Sequence, residues 1–98
     1  MTEESFTDRV LLEKRARIDA LDRALLEIVA RRRALVGELF EAKRRHNLPL
    51  IDPAREGALL TERRASAERL GVPPDLAERI FQAILDASHT QAKAAEDA

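Results

Sequence analysis

Arg32 occupies a position in this chain where a leucine is expected. Apolar side chains recur as Ile18, Leu21, Leu25, Ile28, Leu35 and Leu39, and Arg32 fills the slot between Ile28 and Leu35. On a helix these three- and four-residue steps turn one seam toward a partner surface. An arginine cannot escape burial by losing its proton, so leaving it unpaired in that seam costs on the order of several kcal/mol. An anion, from protein or ligand, must meet it. Lys43 lies eleven residues further on, which on a helix is about 20° in azimuth and roughly 16 Å along the axis, so both cations look along one face. Arg15 precedes Ile18 by three residues and flanks the same stripe. It stands roughly 25 Å from Arg32 and about 100° round, so one small anion cannot bridge both on one helix. Antiparallel pairing with a second copy would bring Arg15 of one chain to the Arg32 to Lys43 region of the other. The alternative for all three is a snorkelling cation whose stem covers apolar surface while its head reaches water.

Further polar groups follow. Asp52 precedes Pro53 and fits a helix N-cap, which does not exclude a second role, while Arg55 and Glu56 fit a solvated first-turn pair equally well. Ser88, His89, Thr90 and Gln91 form a polar cluster after an apolar run, as where a helix surfaces into solvent. His46 and His89 lack a helical partner at metal-ligand spacing and are expected at the surface. No Ser-His-Asp or Cys-His order and no glycine-rich phosphate loop occurs. The chain lacks the parts for covalent or metal catalysis, and what it does hold is a set of cations and hydrogen-bonding groups that could surround a small polyanion.

The elements that must position these residues are helices. From about Phe6 to His46 the only glycine is Gly37 and there is no proline, while Ala, Leu, Glu, Arg and Lys dominate; propensity and pattern both predict one helix of about forty residues, roughly 60 Å long. Such a helix must find company outside its own fold. Asn47-Leu48-Pro49-Leu50-Ile51 ends it. Asp52-Pro53 opens a second helix, expected from Pro53 to Leu70, carrying Leu59 and Leu60 amid charges. Gly71 suits the left-handed stop after it. A third helix, from about Pro74 to Ala92, is expected to bury Leu76, Ile80, Phe81, Ile84 and Leu85. The expectation is an all-α chain, a single domain over residues 1–98, with residues 1–5 and 93–98 frayed.

Composition narrows the function classes. A net charge of -1 over 98 residues argues against bulk attraction to nucleic acid or an anionic membrane. Cysteine is absent, which removes disulfides, zinc knuckles and thiol nucleophiles. No apolar run reaches the length of a membrane span, and Met1-Thr2-Glu3-Glu4-Ser5 lacks the features of a signal peptide, so a cytoplasmic protein is expected. Three aromatics and 36% charged residues leave a thin core for a monomer, a deficit that a second copy would repair.

These residues resemble the all-helical chorismate mutases. The similarity runs from about Leu11 to Ser88. It is carried by Arg15-Ala16-Arg17-Ile18-Asp19-Ala20-Leu21-Asp22, Leu25-Leu26 through Arg31-Arg32-Arg33, Ala42-Lys43, and Leu48-Pro49 through Asp52-Pro53-Ala54-Arg55-Glu56. Arg63-Arg64-Ala65 through Leu70-Gly71-Val72-Pro73-Pro74-Asp75-Leu76 is similar to the mutase domain of bifunctional mutase-dehydrogenase proteins. The chain is too short for a dinucleotide fold, so a free-standing mutase or an excised domain is implied.

The resemblance implies an intertwined homodimer of three-helix chains with two equivalent sites, and a chemistry that would need no cofactor or metal. Arg15 from the neighbouring chain and Arg32 from the home chain would hold the two carboxylates of chorismate, and Lys43 would donate to the ether oxygen. Asp52 and Glu56 would meet the ring hydroxyl, Arg55 would support a carboxylate directly or through water, and Ser88 would complete the wall. The family places a glutamine or glutamate four residues after that serine. Here that position is Ala92, and Gln91 stands one residue early. Relative to Ser88, Gln91 lies about 60° to one side and Ala92 about 40° to the other, so a tightened last turn would bring Gln91 inward. Two alternatives stay open: isochorismate pyruvate-lyase on the same fold, and a non-catalytic helical dimerisation module with solvated cations.

Overall fold

The computed structural model describes residues 3–97, with side chains from Ser5 onward. Three helices follow one another: α1 (Glu3–Arg45), α2 (Pro53–Leu70) and α3 (Pro74–Glu96). The chain is all-helical, as its periodicity predicts. The expected fraying is not found where residues are described: α1 is already helical at Glu3, and α3 continues four residues past Ala92 to Glu96. Met1, Thr2 and Ala98 lie outside the described residues.

The stops have local causes. At the end of α1, Leu48 N donates to Lys43 O at 2.8 Å and Asn47 N to Arg44 O at 3.1 Å. Asn47 has a φ of 55°. This is the Schellman arrangement, with asparagine in the left-handed position and Pro49 barring any restart. The basic last turn, Lys43-Arg44-Arg45, complements the helix dipole. The same closure ends α2, where Val72 N donates to Ala67 O at 2.9 Å, Gly71 N to Glu68 O at 3.2 Å, and Gly71 has a φ of 73°. At the start of α2, Asp52 accepts from Arg55 N at 3.1 Å and Pro53 takes the first helical position, as its sequence predicts.

Two compact units divide the chain, one up to Ala34 and one from Leu35 onward. The first is a stretch of α1. Among its described residues the side chains are almost all exposed, with Val10, Val29 and Arg32 half-buried. The stripe residues Ile18, Leu21, Leu25 and Ile28 are each more than half exposed.

The second unit holds the core. Phe40, Leu50 and Ala92 are buried together, with Val36, Ile51 and Ala95 packed around them, so the last turns of α1, the connecting loop and the end of α3 share one cluster. α2 and α3 pack on each other. Arg64 pairs with Asp75 at 2.8 Å near their connection, and Glu56 with His89 at its far end, which makes the two helices an antiparallel hairpin. Leu59 and Ala67 are the buried positions of α2, and Ala77, Leu85, Ser88 and Ala92 those of α3. Leu76 and Ile80, expected inside, are 47% and 43% exposed, while Phe81 and Ile84 are half-buried. Together with Arg63, Ala67, Leu70, Val72 and Ala77, Ile80 and Phe81 line an apolar groove of about 250 Å³ that the hairpin leaves open.

Candidate active site

Lys43 lies on the last full turn of α1, half-buried, with Nζ donating to the carbonyl of Leu50 at 3.1 Å. One of its three ammonium protons thereby ties the helix to the loop that leads into α2, and two remain for another acceptor. A depression of about 420 Å³ opens beside it, lined by Lys43, Leu48, Pro49, Ile51, Asp52 and Pro53. Asp52 spends Oδ1 on the cap of α2. Arg55 is exposed in the first turn, and Glu56, one residue on, is half-buried.

On α3, Ser88 is buried and its hydroxyl donates to Ile84 O at 3.0 Å, a back-bond to the preceding turn that leaves its lone pairs as acceptors. Gln91 is half-buried and lies across α1: its Nε2 would stand 3.2 Å from a Cβ built on Gly37. A Cβ at position 37 would crowd the Gln91 amide by a few tenths of an ångström, at a helix position where glycine costs about 1 kcal/mol relative to alanine. Ala92, the next residue, is 3% exposed within the Phe40 and Leu50 cluster. The polar run Ser88 to Gln91 therefore does not surface as a block, since Ser88 and Gln91 turn inward while His89 and Thr90 are exposed.

His89 is exposed, as its sequence predicts. What its spacing does not reveal is a partner: its Nε2 lies 2.9 Å and 2.8 Å from the two carboxylate oxygens of Glu56. The two residues are 33 apart in sequence, and metal-ligand spacing is blind to such a pair. A signal existed: Glu56 stands fifteen residues before Gly71 and His89 fifteen after Pro74, so folding α2 and α3 as a hairpin about their short connection sets them opposite.

Among the expected site residues, Lys43, Asp52, Arg55, Glu56, Ser88 and Gln91 fall in the second unit, on the end of α1 and on the hairpin packed with it. Arg15 and Arg32 belong to the first. There Arg15 is exposed and Arg32 half-buried on α1. Among the described residues no group of three or more histidine, cysteine, aspartate or glutamate side chains is arranged to hold a metal ion, and no helix is long and apolar enough to cross a membrane.

The last turn of α1 thus carries Lys43 beside the capped start of α2, with Glu56, Ser88 and Gln91 on the hairpin packed with it. Residues 14–93 match the family model of chorismate mutase type II, and the chain belongs to that family. It is 46% identical over 76 residues to a T-protein of Enterobacter agglomerans, covering 78% of this chain and 20% of that protein. A T-protein of Haemophilus influenzae is 38% identical over 79 residues, covering 81% of this chain and 21% of that protein. A chorismate mutase of Methanocaldococcus jannaschii is 29% identical over 76 residues, covering 78% of this chain and 77% of that protein. The chain thus spans about a fifth of the length of the T-proteins it matches.

Proposed function

We propose that this chain is a chorismate mutase, an isomerase that converts chorismate to prephenate in the biosynthesis of tyrosine and phenylalanine, with the cytoplasm as its compartment. The family match over residues 14–93 is the observation that carries this reading. The reaction is a unimolecular pericyclic rearrangement. It proceeds without nucleophile, cofactor or metal, and it is accelerated by holding a compact conformer and by stabilising charge that develops on the ether oxygen. Lys43, half-buried with two protons left after its bond to Leu50 O, suits the ether oxygen. Gln91, inward at Gly37, is its proposed companion. Arg32 and Arg15 of the partner subunit are proposed to clamp the two carboxylates with bidentate geometry, supported by Arg55. Asp52 and Glu56 take the ring hydroxyl, and Ser88 closes the wall.

The homodimer belongs to the same proposal. An exposed apolar stripe on α1 and an open apolar groove on the α2–α3 hairpin are two surfaces that a second copy would cover. The α1 stripe of each chain is proposed to lie along its partner, which delivers Arg15 to the neighbouring site.

The test is turnover of chorismate by the purified chain. Formation of prephenate, reduced by roughly a hundredfold or more in the Lys43→Ala variant, is the expected result. Salicylate and pyruvate from isochorismate, with no prephenate from chorismate, would replace the mutase with a lyase. No turnover of either substrate would leave a helical dimerisation module.

A further inference from the structure

We propose that His89 is a positioning residue for Glu56, holding its carboxylate as a hydrogen-bond acceptor for a donor on the substrate ring; this deepens the mutase reading and rests on it. Nothing in the expected pattern of site residues includes position 89. The geometry singles it out because Nε2 lies 2.9 Å from Oε1 and 2.8 Å from Oε2 of Glu56, nearly equidistant from both. One proton on Nε2, directed between the oxygens, serves both at once. A bare Nε2 lone pair would face two oxygen lone pairs, and a protonated carboxyl would bring only one oxygen close. The arrangement therefore calls for an N–H on Nε2 and an ionised Glu56.

The consequence for the site is pre-organisation. Glutamate carries three rotatable bonds, and the bond from α3 fixes the α2 carboxylate before a ligand arrives, which lowers the entropy lost on binding. Glu56 is the more enclosed partner, with 22% of its side chain exposed against 43% for His89. So the imidazole lies on the outer side and the carboxylate on the inner. Held in this way, Glu56 offers only lone pairs. It selects a ring substituent that donates, a hydroxyl or an amine, over one that only accepts.

Steady-state kinetics of His89→Leu and His89→Gln with chorismate test the assignment. The leucine variant, which cannot donate, should raise KM roughly tenfold with kcat changed less than about threefold, because the lost contact acts on binding in ground and transition state alike. The glutamine variant, whose amide can donate to Glu56, should recover KM to within about threefold of wild type. An active wild type with unchanged KM in His89→Leu overturns the role of His89 alone, as does a glutamine variant no better than leucine. A wild type that turns over no chorismate overturns the mutase reading, and this role with it. If His89→Leu fails to fold, nitrogen NMR of the imidazole decides: the Nε2–H signal should move on Glu56→Gln, and an unmoved signal overturns the pairing.

Discussion

Gln91 and Ala92 are adjacent and both meet the end of α1, yet at different residues. Ala92 packs at 3% exposure against Phe40 at 4% and Leu50, so a side chain longer than alanine has no room there. Gln91 lies close over Gly37, where an added Cβ would stand 3.2 Å from its amide nitrogen. The two pairs are complementary: a large residue at 40 faces a small one at 92, and glycine at 37 faces an amide at 91. Restoring the amide to position 92 should therefore fail. Ala92→Gln is expected to destabilise the chain by about 1–3 kcal/mol in urea unfolding through overpacking and burial of a polar group, with no gain in prephenate formation. Asp52 was legible as a cap because its partner, Arg55 N, is three residues away. The bond between His89 and Glu56 could not be read from the neighbours of either residue, since it depends on folding two helices into one hairpin register.

Element boundaries followed closely from local chemistry. α2 runs over the span its flanking Asp52-Pro53 and Gly71 predict, and α1 stops at Asn47 for the reason glycine usually serves. Gly71→Ala isolates that chemistry. No atom lies within 4 Å of the added methyl group, so the cost comes from the positive φ alone. A loss of about 1 kcal/mol in denaturant unfolding, with chorismate turnover unchanged, is expected. Which faces are buried proved harder. Leu76 and Ile80 lie about 180° and about 140° round α3 from the buried Leu85, and both remain exposed, Ile80 at the edge of the open apolar groove. Periodicity identifies an apolar face without saying whether its cover comes from the same chain.

At the scale of the whole molecule, that uncovered apolar surface leads to the proposed dimer, and its test is complementation. Arg15→Ala and Arg32→Ala chains should each be inactive as homodimers. After subunit exchange, heterodimers contain one site with both arginines intact, and random pairing should return on the order of a quarter of wild-type turnover. No recovery after verified exchange would show that Arg15 does not cross to the neighbouring site.

Three helices, their stops and the cations along α1 could be read directly from the amino-acid order, because propensity, capping and periodicity act over a few residues. The family resemblance could be read there as well, and residues 14–93 bear it out. The inward turn of Gln91, the burial of Ala92 and the capture of Glu56 by His89 emerged only from the folded chain. Each depends on how one helix is rotated and registered against another, and that is settled by packing of side chains far apart in sequence.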